Sequence, residues 1–476
     1  MSRIPHMTVA WPHTRQPLND LFRGKEKTMR SGSVRASVTK PLTAVSLIAL
    51  AAFWALPVQA QSIKSQDKAD PRRANSAKIL QEQNPQEKTD GKDDEKQIDD
   101  SYQPKGIELG SFLLLPQVEV SEGYNNNIYA RAKDKKSDFI TRITPEFQLR
   151  SRFTNHMLNV TARAEQSLFA TYKDDNHLDA STSVAGRYDF SREWEATGSL
   201  DAYQTYEDRG SPDAVNGKSP TRTYGFGGRT GTKYQVGRYT FQSELNGARR
   251  LFGDVDTSTG TTIDNSDRNR NEFGAMGRGS YELFPGYAAV TQVEVNRRQY
   301  DSSRDRAGFN RSSSGWRAET GIGVDITQLV RGDFLVGYMK QDYEDSRFKD
   351  PSGLALKSVL NWTPNRMTVV ALSLERSVQE TITTNASGMI HTGASLLIRH
   401  EMQRNIILTG TASAFQDDFK GANQTNWTYD ARARAVYALQ PELYVGGEVG
   451  FRRRTSDKPD VGFSQGVALL RIGARM

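Results

Sequence analysis

The chain has no cysteine in 476 residues, which excludes a disulfide scaffold, a thiolate metal cluster and a cysteine nucleophile. Apolar residues make up only 36% and the mean hydropathy is -0.66, leaving no room for several 20-residue apolar spans. A multi-span helical membrane protein is therefore excluded. The same shortage would leave two or three soluble domains of this total length with meagre cores, so either much of the chain is unfolded or its core is built differently. Charge of one sign is missing too. The formal net charge is +7, but residues 1–60 carry eight Lys/Arg against two Asp/Glu, so the remainder holds 55 basic and 54 acidic residues. No polybasic footprint for nucleic acid survives that division.

The one long apolar run lies at 42–56. Arg30, Arg35 and Lys40 precede it, and Val58, Gln59 and Ala60 follow, which is the basic, apolar, small-x-small order of a secretory signal. Cleavage is expected between Ala60 and Gln61, and Met29 is the natural start of such a signal, making residues 1–28 an upstream extension. Residues 1–60 are thus extension and signal. Residues 61–105 are rich in Gln, Lys, Asp and Glu and predict a disordered periplasmic tail.

From 106 to 476 the text alternates with period two, which predicts strands with one apolar and one polar face. Phe139, Thr141, Ile143, Pro145, Phe147 and Leu149 oppose Arg142, Glu146, Gln148 and Arg150. Near the end, Trp427, Tyr429, Ala431, Ala433, Ala435 and Tyr437 oppose Asp430, Arg432 and Arg434. Such lengths exceed the usual soluble strand of about 5 or 6 residues and suit tilted membrane strands of at least about 9 to 11. Short breaks at 154–155, 192–193, 237–238, 285–286, 328–332, 364–365, 403–404 and 441 alternate with long polar loops such as 207–222, 253–271 and 300–313. Eight short turns interleaved with nine longer loops give about 18 strands, an even number as outer-membrane barrels require, with both ends on the short-turn side. The expected fold class is all-β, a transmembrane antiparallel β-barrel with short periplasmic turns and long extracellular loops.

Aromatics cluster at both strand ends. Phe190, Trp194, Tyr234, Tyr239, Phe284, Tyr287, Trp362, Tyr437 and Tyr444 flank short turns. Tyr172, Tyr206, Tyr224, Tyr300, Trp316, Tyr343 and Trp427 flank long loops, and together they predict two interfacial girdles. The chain ends on Ala468, Leu470, Ile472, Ala474 and Met476, an alternating apolar terminus like the assembly signal of such barrels, with Met476 where an aromatic is usual.

Several short motifs carry a family likeness: Gly106-Ile107, Gly110-Ser111-Phe112, Pro116, Tyr124-Asn125-Asn126-Asn127-Ile128-Tyr129, Ser137-Asp138, Trp362-Thr363-Pro364 and Arg376-Ser377-Val378-Gln379-Glu380-Thr381. On these residues, residues 105–476 resemble an outer-membrane β-barrel porin family met in proteobacterial surface-polysaccharide gene clusters. The resemblance implies an outer-membrane barrel that passes or exports envelope polysaccharide, and it brings no catalytic residues.

In a barrel the polar strand face lines the lumen. The expected lumen-lining residues include Arg142, Glu146, Arg150, Arg163, Glu165 and Arg187 in the first strands, and Arg229, Arg278, Glu294, Arg317 and Glu319 in the middle. Arg432, Arg434 and Glu448 complete the set near the end. Both signs mix along the wall, which predicts a solvated, salt-bridged surface rather than a one-sign selectivity ring. No inward loop is legible.

An enzyme is not expected. Of the histidines past residue 60, His177 shares a face with Asp179, but no nearby serine stands out to complete a catalytic set. Asn125-Asn126-Asn127 suits a turn better than a calcium site, which recruits carboxylates. Neither cofactor nor metal is expected. The expected function is a porin-like channel for polar solutes with a part in polysaccharide export. The alternatives are an occluded accessory barrel that binds envelope components and, last, an outer-membrane hydrolase. The expected partners are outer-membrane lipid, the barrel assembly machinery, and a polysaccharide or small polar solute.

Overall fold

A computed structural model describes residues 102–476, apart from 216, 327 and 328. The expected signal, its Ala60/Gln61 cleavage point and nearly all of the 61–105 tail lie outside the described residues. After β1 (Ile107–Leu109), the wall begins with β2 (Phe112–Asn125), β3 (Asp138–Ser151), β4 (Met157–Phe169), β5 (His177–Asp189), β6 (Trp194–Tyr206), β7 (Arg222–Val236) and β8 (Tyr239–Phe252). A loop carrying the small hairpin β9 (Val255–Asp256) and β10 (Thr262–Ile263) leads to β11 (Arg270–Phe284), β12 (Tyr287–Tyr300), β13 (Ser313–Ile326), β14 (Val330–Tyr343) and β15 (Ser352–Asn365). The circuit continues through β16 (Thr368–Gln379), β17 (Met389–Gln403), β18 (Ile406–Phe419), β19 (Thr425–Gln440), β20 (Leu443–Ser456) and β21 (Phe463–Arg475).

Each wall strand pairs antiparallel with the next, and β8 pairs directly with β11. β21 closes onto β2 from Gln117↔Arg475 to Asn125↔Val467, making an 18-strand antiparallel barrel. Closure removes every free edge, the condition for a sheet in hydrocarbon.

The apolar face of the alternation is turned outward and left bare. Leu470 is 73% exposed, Leu200 66% and Val449 59%, an arrangement stable only against lipid. Two-residue turns join several strands on one rim. At Pro285-Gly286 the proline presets one corner and Gly286 takes a φ of 83° at the other. The expected break at 328–332 is shorter in the structure, because β14 already begins at Val330.

The aromatic girdles need a correction. Trp194, Tyr234, Tyr239, Trp362 and Tyr437 face outward at the short-turn rim, and Trp316 and Trp427 at the other. Tyr300, Tyr343 and Tyr444 do not join them: each is buried on the inner face, at 8%, 8% and 4% exposure. The reason is parity. Tyr300 shares its face with Glu294 and Arg298, and Tyr444 shares its face with Glu448 and Arg452.

Candidate functional site

The strand register carries every expected lumen residue to the face opposite the bare apolar one. Pairs form along a strand at i, i+2 and between neighbouring strands, the two closest approaches a pleated wall allows. Arg163 sits between Glu146 at 3.1 Å and Glu165 at 2.9 Å, and Arg142 lies 3.6 Å from Glu165. Arg187 meets Asp189 at 2.8 Å, Arg229 meets Glu244 at 3.1 Å, and Arg317 meets Glu319 at 2.8 Å. Arg432 bridges Asp430 (3.2 Å) and Glu448 (3.4 Å), while Arg434 lies 3.7 Å from Glu119. Arg150 donates to the Gln148 amide oxygen at 2.7 Å.

Three pairs reach past their neighbours, that of Arg434 of β19 with Glu119 of β2 among them. Arg278 of β11 meets Asp333 of β14 at 2.8 Å, and Glu294 of β12 meets Lys357 of β15 at 3.1 Å. These links knit strands three places apart, so they stiffen the wall as well as neutralise it. His177 and Asp179 take separate partners: His177 Nδ1 lies 2.6 Å from the Asp175 carbonyl, and Asp179 accepts the Tyr206 N–H at 3.1 Å.

The long-loop end holds what the alternation did not reveal. Pairing of β16 with β15 stops at Leu356↔Arg376, yet β16 continues to Gln379 in pairing with β17. Val378 and Ile390 then pack on Met339 and Ala355, which belong to the inner wall. Arg298 donates to the Val378 carbonyl at 2.9 Å, and Arg317 donates to the Leu356 and Arg376 carbonyls at 3.1 Å each. The top of this hairpin thus leans over the lumen. Its loop, 380–388, begins with buried Glu380, which pairs with Arg298 and accepts the hydroxyls of Tyr300 at 2.6 Å and Tyr343 at 3.0 Å. Arg311 fastens the same loop by donating to the carbonyls of Thr381 (2.6 Å) and Ala386 (3.1 Å).

A second loop, 207–221, rises between β6 and β7, far around the circuit from β16 and β17. Asp208 pairs at 2.8 Å with Arg452, which also meets Asp430 on the inner wall at 3.1 Å. The Asp213 carboxylate accepts the Thr381 hydroxyl at 2.7 Å and the Ile382 N–H at 3.0 Å. Loops from opposite sides of the barrel therefore meet over its mouth. A cavity of about 300 Å³ lies beside the junction, lined by Asp213, Thr381, Ile382, Arg306, Arg311 and Tyr300 among others.

The remaining loops interlock around this junction. Tyr129 packs edge-on against Tyr172, with the guanidiniums of Arg131 and Arg209 over its ring at 5.2 and 5.3 Å. Burial and the neighbouring Asp175 carboxylate push the Tyr129 phenol up to about 12. On the other side, Arg347 hydrogen-bonds Asp345 at 2.6 Å and holds that carboxyl well below the usual carboxylate range. Asn127 is fully buried as a loop brace, holding the Arg131 and Ser464 carbonyls at 2.8 and 2.9 Å.

A closed barrel with a bare apolar outside, a charged inside and loops gathered at one mouth defines a transmembrane β-barrel of porin type. Residues 100–476 match the family described as Putative beta-barrel porin 2, and the chain belongs to that family. It is a porin-like β-barrel of the outer membrane. No curated protein matches it. Among solved structures it is similar to the Pseudomonas aeruginosa outer membrane protein OpdK at 10% identity, covering 76% of this chain and 99% of that one, with a TM-score of 0.39. It is also similar to Pseudomonas aeruginosa OpdL at 8% identity (77% and 99% covered, TM-score 0.37). A third is a mutant of the Pseudomonas aeruginosa ferric enterobactin receptor PfeA in complex with enterobactin, at 7% identity (76% and 81% covered, TM-score 0.40).

Proposed function

We propose that the protein is a passive channel for small polar solutes, conducting along a hydrated wall of paired charges. The observation that supports it most is the inner face itself, where Arg142, Arg163, Arg229, Arg432 and their carboxylate partners replace an apolar core. Buried ion pairs add little to stability over apolar packing, so a wall of them suits water and solute better than it suits a sealed interior. The near balance of signs favours polar or zwitterionic cargo over strong ion selectivity. No chemistry on the solute is part of the proposal. Export of the chain by a signal ending at Ala60, and insertion by the barrel assembly machinery, belong to the same proposal.

Passage of surface polysaccharide is the finer reading, and it comes from the family resemblance. A polymer would need the mouth clear of the Asp213–Thr381 junction. That junction also favours a second reading, an accessory barrel with an occluded lumen whose loops bind envelope components.

Single-channel recording of residues 61–476 in a planar bilayer, with asymmetric salt and then added polysaccharide, separates these. Discrete open steps are expected, and saccharide block would support export. A barrel that inserts with native heat-modifiability and never conducts would refute the channel.

A further inference from the structure

Loop 207–221 is fastened unevenly. Its base is held by charge: Glu207 pairs with Arg268, Asp208 with Arg452, and Arg209 clasps Asp175 at 2.6 Å while donating to the Gly217 and Lys218 carbonyls at 2.7 and 3.0 Å. Glycines bracket the tip. A Cβ on Gly217 would come within 2.0 Å of Val255, a place where only a bare backbone fits, and one on Gly210 would sit tightly at 3.1 Å from Phe463. Between them, residues 211–215 reach the far side through Asp213. Its two hydrogen bonds there come from uncharged donors, the Thr381 hydroxyl and the Ile382 N–H. The partner loop is the rigid side, because Glu380 and Arg311 tie it to Arg298, Tyr300, Tyr343 and Asp305. The cavity beside the junction has room for water to replace both bonds when they break.

We propose that residues 211–215 are a gate that closes on the fixed jaw Thr381–Ile382, with Asp213 as its latch, so that the channel has a narrow latched level and a wider unlatched one. The proposal rests on the channel reading above. The charged base stays in place during opening. Hydrogen bonds to a carboxylate are stronger than neutral ones, but on opening both are exchanged for bonds to water, so the two levels interconvert and Asp213 sets their ratio.

The test uses the full chain in planar bilayers, and the lack of any native cysteine makes it clean. Asp213→Ala is expected to shift occupancy toward the wider level by about a hundredfold, the low end for losing two hydrogen bonds to a carboxylate. In Asp213→Cys/Thr381→Cys, a short bifunctional thiol reagent is expected to hold the channel at its narrow level, with each single-cysteine variant unaffected by the same reagent. Cross-linked and untreated double variants with identical level distributions would overturn the gate while leaving the channel intact. Silence of the parent chain and of Asp213→Ala alike would overturn the channel reading and the gate with it.

Discussion

Replacing Glu380 with alanine tests whether the jaw over the lumen is held as the geometry indicates. Glu380 is 5% exposed and is the meeting point of Arg298, Tyr300 and Tyr343. Its removal leaves a guanidinium with the Val378 carbonyl and two phenolic donors without their carboxylate. Breaking a buried pair from one side costs about 3–5 kcal/mol, and each orphaned hydroxyl about 1–3 kcal/mol. The site adjoins a hydrated cavity at the mouth, so water recovers part of this and the low end, ~3 kcal/mol, is the better figure. That is roughly a hundredfold in the local opening equilibrium. Hydrogen exchange read by mass spectrometry over 376–391 should lose protection by about that factor, while the pairing of β16 with β15 up to Arg376 keeps the barrel heat-modifiable. Glu380→Gln keeps an acceptor for the tyrosines and should fall between the two. Protection within a few-fold of the parent in Glu380→Ala would refute this account of the jaw, and so would general unfolding of the barrel.

The outward face should reject charge at mid-strand: Leu470→Arg, at a side chain 73% exposed to lipid, should cost about 2–4 kcal/mol, seen as a lower urea midpoint in detergent or bilayer refolding. Gly473 lies under the Tyr444 ring, where a Cβ would come within 2.1 Å of Cζ, so Gly473→Ala should displace Tyr444 from Glu119 and cost about 1–3 kcal/mol by overpacking. Gly410→Ala meets nothing within 4 Å and should leave the same midpoint unchanged. Tyr129 is held protonated up to about 12, so its folded-state preference is fully present below the ordinary tyrosine value near 10 and is lost as pH rises from there through 12. A difference titration of the phenolate band between the parent and Tyr129→Phe should show this one late-ionising tyrosine, and a difference centred at 10 would contradict the buried loop cluster.

The wall was legible because a barrel's two solvents write a period-two pattern over long stretches. In Trp427 to Tyr437 every odd residue faces lipid and Asp430, Arg432 and Arg434 face inward, with no help needed from tertiary context. The turns were legible because backbone conformations such as that at Gly286 demand particular residues. The mouth was not, because Asp208 and Asp213 sit in a polar loop whose composition is the same whether it stands in water or folds across a lumen. The segment Arg376 to Thr381 carried part of the family likeness, but nothing in its residues says that β16 leaves β15 there.

The inward position of Tyr300, Tyr343 and Tyr444 follows from strand parity. Membership of an interfacial girdle needs two things, a depth near the strand end and a face toward lipid, and Tyr300, Tyr343 and Tyr444 meet only the first. Counting by twos from Glu294 puts Tyr300 inside, and counting from Glu448 puts Tyr444 inside. An inward tyrosine at a strand end needs a partner for its hydroxyl once it is buried, and each of these finds a carboxylate: Glu380 for Tyr300 and Tyr343, Glu119 for Tyr444. Glu119 and Tyr444 brace the wall near the closing strand. Tyr300 and Tyr343 instead send their hydroxyls to a residue of a loop, and two wall tyrosines converging on one loop carboxylate are what turns that loop inward.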